Sequence, residues 1–358
     1  MLAEITAVLR EHPDIKGREI AKKIGKAKKV VNSFLHAHSD NFIQDNNYCW
    51  SLTKAEVLKI QFQEDQWVDH NSFESSLRIS GSPLDSECSS IHFVIPEKCK
   101  ILLDASARFL ALCNQLVHAG KDVTIDFNNC KSTLRFFDRI GFVEHLHENV
   151  TVLPKRPLVS RASIYKGNSE AVVEFGAVNP KQANKELINQ LADCFVQQSE
   201  AYYETAASTV FGELIGNIQE HSESSILGFA ALQKYEGRRK HIQTVISDSG
   251  LGIAATLKPS LKVHYPRLYE LSNSDDFDIQ LVTAVLTKGE ISRFGSGRGL
   301  GFKSSREQAA KFDARLSIRQ EKFSLELEYK NGEIVQIDKQ ENLPTIFGTH
   351  LCFDFFVD

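Results

Sequence analysis

Within GELIGNIQEHS, residues 212–222, Glu213, Asn217 and His221 recur at intervals of four. On a helix that interval stacks side chains one turn above the next on a single face. A face carrying a carboxylate, a carboxamide and an imidazole cannot enter an apolar core without stranding its polar atoms. Any fold this chain adopts must leave that face solvated or turn it towards a polar cavity that a ligand fills.

Three later segments bear on that choice. DSGLGI at 248–253 follows the apolar run QTVIS. A carboxylate at a strand end, followed by two glycines, can accept a hydrogen bond from a ligand amine while the backbone bends closely past it. GSGRGLG at 295–301 places four glycines just before a helical stretch, KSSREQAAKF. Such a loop turns backbone N–H groups towards an anion, and the helix N-terminus adds about half a unit of positive charge. FGTHLCF puts Thr349 at the entry of the last strand. Singly, each segment has a plainer reading as a turn, a cap or a solvated face. Their order, on a helix, a strand end, a loop-to-helix junction and a final strand, points to one site.

A chain of 358 residues is too long for one ordinary core and predicts two or three domains. Its 42% hydrophobic and 25% charged content is that of a globular protein, and a net charge of −4 excludes a uniformly basic nucleic-acid binder while leaving room for a local basic patch. With no run of 18 apolar residues and no leader-like start, the expectation is a cytoplasmic protein without membrane partners. The seven cysteines form no Cys-x-x-Cys pair and have mostly apolar neighbours, which predicts buried, reduced thiols and no zinc site.

Residues 1–53 read as three helices, LAEITAVLREH, IKGREIAKKIG with Gly25 as stop, and AKKVVNSFLHAHS, followed by a hairpin, FIQDNNYCWSLT, that turns at Asp45–Asn47. This is the order of a winged helix-turn-helix. Residues 54–89 read as a linker, ending in the Gly-, Ser- and Pro-containing ISGSPLDSECSS. A small α/β domain is expected over 90–155, with strands SIHFVIP and KDVTIDF and a second helix closed by Gly141, and PKRP at 154–157 as a boundary. Beyond it, 158–358 reads as one α/β domain, for which the family resemblance given below implies an α/β sandwich with helices on one face of a mixed sheet. In it the stretch 185–221 breaks into two helices and Asn331-Gly332 makes a tight hairpin. The whole is a multidomain α+β chain. About forty residues separate DSGLGI from GSGRGLG; they are polar, without clear periodicity, and read as a lid over 255–298 whose Lys288, Arg293 and Arg298 lie near the glycine loop.

The four segments together resemble the ATP-binding domain shared by gyrase, MutL, heat-shock chaperones, histidine kinases and anti-sigma-factor kinases, the GHKL superfamily, over about 180–358. ELIGNIQEHS resembles its asparagine box, DSGLGI its first glycine box, GSGRGLGF its second and GTHLCFDFFV its closing strand. The resemblance implies ATP and Mg²⁺ as cofactors. Asn217 would coordinate the cation, Glu213 would orient or deprotonate the attacking water, and Asp248 would accept the adenine amino group. Gly250 and Gly252 would let the chain approach the base, and Thr349 would support the adenine end. Gly295, Gly297, Gly299 and Gly301, with Arg298, would wrap the triphosphate. His221 stands where many kinase-type members carry a histidine; a packed helix-end histidine is the other reading. Gyrase- and MutL-type proteins carry a second catalytic domain after the ATP site, a plan not expected here, and 158–212 holds no phosphoacceptor histidine of the usual kinase plan.

The segment 90–155 resembles the STAS-like fold, with Ser132 and Thr133 near the place of its phosphorylated residue; the usual Asp-Ser pair is missing and a structural role is expected. KKVVNSFLHAH and YCWSLT resemble the recognition helix and wing of Z-alpha-type winged helices, with Lys28, Lys29, Asn32 and Trp50 at matching positions, His36 in place of a tyrosine and no proline pair in the wing. Seven basic residues and one acidic residue lie between Lys16 and Lys29, so Lys22, Lys23, Lys28 and Lys29 are candidates for duplex phosphates. The functional expectation is a Mg²⁺-dependent ATPase that couples nucleotide state to nucleic-acid or partner binding. The alternative is an anti-sigma-type serine/threonine kinase acting on a protein partner. A second copy of the chain is a further candidate partner.

Overall fold

The computed structural model describes residues 1–39, 41–52, 57–64, 66–179, 181–182, 184–199, 203–221, 224–237, 239–270, 272–274, 276–288 and 313–357. The chain divides into two compact units, 1–58 with 86–91 and 59–85 with 92–358.

The first unit contains α1 (Leu2–Glu11), β1 (Ile15–Lys16), α2 (Gly17–Lys23), α3 (Lys28–Ala37), β2 (Phe42–Gln44) and β3 (Cys49–Leu52). Ile5 and Leu9 on α1, and Val31 and Leu35 on α3, are each four apart, and they close a core with Ile20, Phe42 and Trp50. The strands pair antiparallel in the order β1-β3-β2. The expected hairpin turn extends one residue further than Asn47. Asp45 Oδ1 accepts the N–H groups of Asn47 (2.9 Å) and Cys49 (2.7 Å), and Tyr48 takes a positive φ of 62°.

Next come β4 (Val57–Gln61), β5 (Trp67–Val68), α4 (His70–Ser80), β6 (Ser90–Val94), β7 (Lys100–Ile101), α5 (Leu103–His118), β8 (Asp122–Asp126), α6 (Lys131–Arg139), α7 (Phe142–His145) and β9 (Thr151–Leu153). The expected linker over 54–89 is therefore corrected. Asp69 caps α4 by accepting the Ser72 N–H (2.9 Å), and α4 buries Phe73, Glu74, Ser76 and Leu77. Strands β4-β6-β8-β9 form one sheet. Phe109 of α5 meets it through an aromatic cluster with Phe62, Phe73, Phe93, Phe137 and Phe142. Thr133 is buried, its hydroxyl donating to the Cys99 carbonyl (2.5 Å), which suits the structural role expected of it.

The remaining elements are α8 (Arg161–Tyr165), β10 (Val172–Val178), α9 (Lys185–Gln198), α10 (Glu204–His221), β11 (Gly228–Tyr235), β12 (His241–Ser247), α11 (Gly252–His264), α12 (Pro266–Tyr269), α13 (Phe277–Lys288), β13 (Ala314–Gln320), β14 (Phe323–Lys330), β15 (Glu333–Gln340) and β16 (His350–Phe356). The stretch 185–221 does break into two helices, α9 and α10, and Asn331 and Gly332 take the positive φ values of 51° and 84° that a tight hairpin needs. Seven strands pair in the order β10-β11-β12-β16-β13-β14-β15. Every neighbouring pair is antiparallel, so the sheet is not the mixed one expected.

Nor is it covered on one face only. Leu191, Phe195, Phe211, Leu214, Ile215, Leu257, Leu261, Val282 and Val285 pack on Leu232, Ile242, Ile246, Leu316, Ile318 and Phe353. Strand alternation turns Gln243, Ser317 and Arg319 to the other face, and there α4 and α5 lie against the sheet. The Asp104 N–H donates to Gln243 Oε1 (3.1 Å) and Arg108 Nη2 to Ser317 Oγ (3.0 Å). Glu74 Oε1 accepts from both Arg108 Nη1 (3.0 Å) and Arg319 Nε (2.9 Å). Fourteen of the sixteen residues of α5 are buried, so this helix is enclosed on all sides. The division expected at PKRP is correspondingly absent. Arg156 is tied to the carbonyls of Val143 (3.0 Å), Leu146 and His147 (2.9 Å), and both flanking segments belong to the second unit.

The lid expected over 255–298 is also corrected as far as it is described. Through residue 288 it is α11, α12 and α13, whose Leu257, Leu261, Phe277, Leu281, Val282 and Leu286 are buried in the core; its remainder lies outside the described residues. No described helix is long and apolar enough to cross a membrane, and all seven cysteines are free thiols.

Candidate functional site

Asp248 is the first residue after β12. Its N–H donates to the Thr349 carbonyl (2.9 Å), continuing the β12–β16 pairing by one residue. Its Oδ1 accepts the Gly250 N–H (2.7 Å), which bends the chain back on itself. The side chain is buried. Burial pushes the carboxyl up to about 6, against hydrogen bonds from Gly250 and Thr349 that favour the ionised form.

Two glycines make this turn possible. Gly252 has φ 78°, and a Cβ there would come within 2.7 Å of Gln320 Oε1. Gly348 has φ 93°, and a Cβ there would overlap the Asp248 carbonyl, which is backbone and cannot yield. Gln320, at the end of β13, spans the gap between the two turns. Its Oε1 accepts the Ile253 N–H (2.8 Å) and its Nε2 donates to Thr349 Oγ1 (3.0 Å). Behind them His350 Nε2 donates to the Phe347 carbonyl (3.0 Å), so its Nδ1 accepts the Ser247 hydroxyl (2.6 Å). Burial, with Arg108 and Arg319 nearby, pushes this imidazole down to about 3 and keeps it neutral.

The C-terminal half of α10 meets the sheet at Gly228, through Ile218. A Cβ on Gly228 would lie 3.2 Å from Ile218 Cγ2 and 2.9 Å from the Ser247 carbonyl. Ile218, the residue after Asn217, and the Ser247 carbonyl thus both border Gly228. Glu213 and Asn217 are half-buried. The Asn217 Nδ2 is shielded from solvent and has no hydrogen-bond partner among the described residues. Buried amide atoms are seldom left so, and the two ends of a carboxamide exchange by a half-turn; the position fits a ligand group or a cation-bound oxygen. His221 is the last residue of α10.

The structure therefore brings together Asp248, Gly250, Gly252 and Thr349, while Asn217 is carried by α10, whose neighbouring Ile218 packs by Gly228 at the start of β11. Gly295, Gly297, Arg298, Gly299 and Gly301 lie outside the described residues. No group of three or more His, Cys, Asp or Glu side chains among the described residues is placed to hold a metal ion, so a cation here would draw on Asn217 and on ligand oxygens. Gln320, Gly348 and His350 were not singled out in the sequence. Gly348 stands beside Thr349 in the quoted strand, whereas a glutamine at a strand end carries no signal.

In the first unit Lys22, Lys23, Lys28 and Lys29 are exposed, and none makes an ion pair with a described residue. Lys29, Asn32, Ser33 and His36 share one face of α3 by their spacing. Trp50 does not join them as a surface contact. It is 3% exposed and belongs to the core, with the His36 ring edge-on at 4.7 Å. The Asn32 Oδ1 lies against Gly17, is shielded from solvent and has no partner among the described residues.

Compared with known proteins, the chain has no match among family models, curated proteins or solved structures.

Proposed function

We propose that the second unit is a Mg²⁺-dependent ATP-binding module of the GHKL kind and that it hydrolyses ATP. The observation that carries this reading is Asp248: a buried carboxylate on a turn whose close packing requires Gly252 and Gly348, braced by Thr349. A buried acceptor with backbone passing close beside it is what recognition of a planar base bearing an amino group requires. Asn217 would hold the cation together with phosphate oxygens, and the bound Mg²⁺ would supply neutralisation of phosphate charge. Glu213, one turn before Asn217, would orient a water and take its proton. In this reading Asp248 fixes the base and takes no part in bond cleavage.

The first unit, in the same proposal, is a winged helix whose lysine face on α2 and α3 meets the phosphates of duplex nucleic acid or an acidic partner. The middle segment is the STAS-like layer of the finer architecture. Its fused packing on the sheet supports a role inside the ATP module rather than as a separate dock.

Incubation of the full chain with Mg²⁺ and γ-labelled ATP tests the assignment. Free labelled phosphate, lost in Glu213→Ala while ATP binding persists, is the expected result. Label on protein instead would favour the kinase reading. Absence of any ATP binding by calorimetry would remove the nucleotide assignment.

A further inference from the structure

Gln115 lies near the C-terminal end of α5, is 4% exposed, and reaches both turns of the site described above. Its Nε2 donates to Ser249 Oγ (2.9 Å) and to the Phe347 carbonyl (2.9 Å), and its Oε1 accepts the Phe347 N–H (2.9 Å). The carboxamide thus pairs with the Phe347 peptide as a neighbouring strand would, while holding the residue after Asp248. Ser249 and Phe347 stand on separate turns, each one or two residues from a group assigned to the base: Asp248 on one side, Thr349 on the other. The Phe347 carbonyl accepts from His350 as well, so both its lone pairs are used. α5 is itself pinned to the sheet at Asp104 and at Arg108.

We infer that Gln115 is a positioning residue for the candidate site at Asp248. From α5 it sets the spacing between the turn that carries Asp248 and the turn that carries Thr349, so the fit of these two turns to a base depends on how the α4–α5 layer seats on the sheet. The inference rests on the nucleotide reading above. Physically, removing the carboxamide leaves a buried peptide N–H and a hydroxyl short of partners. The two turns then relax separately. Because the hydrogen bonds of the side chain go to Ser249 and Phe347 and not to Asp248 or Thr349, its effect is on geometry, and it should be read in base selectivity more than in overall nucleotide attraction.

The test replaces Gln115 by Met, which fills the same volume without hydrogen bonds, and separately Ser249 by Ala, which removes one bond and leaves α5 untouched. Two readouts are taken on the full chain. Hydrogen exchange without nucleotide should rise in 247–253 and 345–350 and stay at the parent level in β13 and β14. Calorimetry with Mg²⁺ should show ATP affinity falling about tenfold in Gln115→Met while the weaker GTP affinity is unchanged, with a smaller shift in the same direction for Ser249→Ala. Parent-level exchange at both turns in both variants overturns the inference, as does an equal loss of ATP and GTP affinity. If the parent binds neither nucleotide, the nucleotide reading fails, and the exchange measurement by itself still decides whether Gln115 holds the turns together.

Discussion

Replacing Asp248 by Asn should weaken ATP binding and strengthen the fold at the same time. The carboxyl is almost wholly buried and its pKa is raised from 3.8 to about 6. That difference corresponds to about 3 kcal/mol held against the folded state once the group is ionised in both states. Below pH 3.8 neither state is ionised and the effect vanishes. Between 3.8 and 6 only the unfolded chain ionises, so stability falls as pH rises; above 6 the loss is complete. Asparagine keeps the Oδ1 that accepts the Gly250 N–H, yet carries no charge to desolvate. Urea unfolding of the second unit should therefore show Asp248→Asn more stable than the parent by about 1–3 kcal/mol at pH 7.5, with the gap closing by pH 4. Calorimetry should show ATP affinity lower by about tenfold or more, since the amide presents donors to an amine. A gap that does not change with pH would mean that the carboxylate is not desolvated as the structure has it. Unchanged ATP affinity would detach Asp248 from the base.

Glu74→Ala leaves Arg108 and Arg319 without their shared carboxylate and should cost about 3–5 kcal/mol, read as a lowered urea midpoint, whereas removing the exposed carboxylate of Glu236 should leave that midpoint nearly unchanged. For His70, burial opposes the charge, but hydrogen bonds to Asp104 and Glu326 outweigh it and raise the imidazole to about 9. Its stabilisation is then complete below pH 6.5 and lost as pH rises through 9, and a His70→Gln variant should lack that alkaline loss in urea unfolding. Reversing Lys28 and Lys29 to Glu should abolish low-salt duplex binding and flatten its salt dependence without changing the helix signal in circular dichroism, since both side chains are exposed.

What could be read from the sequence was whatever buries an apolar face with regular spacing or needs a particular turn residue. α3, α10, β12 and the Asn331-Gly332 hairpin are of this kind. α4 was hidden because its buried set includes Glu74 and Ser76 beside Phe73 and Leu77, so its inward side looks like a solvated one. The same disguise covers the second face of the large sheet. Gln243, Ser317 and Arg319 alternate with apolar residues as a water-facing row would, and only their partners on α4 and α5 show that water is excluded. α11 was obscured by Pro259 within it and Pro266 just after it, both of which read as breakers. At the candidate site, Asp248 and Thr349 stood out in the sequence by their glycine neighbours, and the glutamines that hold their turns did not. Gln115 is an ordinary helix glutamine until Phe347, 232 positions later, is placed beside it.

Such separations set a timetable for synthesis. Glu74 and Arg319 are 245 residues apart. At about 5–20 residues per second, roughly ten to fifty seconds pass between emergence of the carboxylate and arrival of the second guanidinium it binds. Through that interval the α4–α5 layer has its aromatic side available for packing on β4, β6 and β8, while the side meant for the large sheet stands open. Because that side is ionic and hydrogen-bonding rather than greasy, it stays wetted and repels casual association with other nascent chains. The polarity that ends up buried thus gives the half-made fold a tolerable surface while it waits.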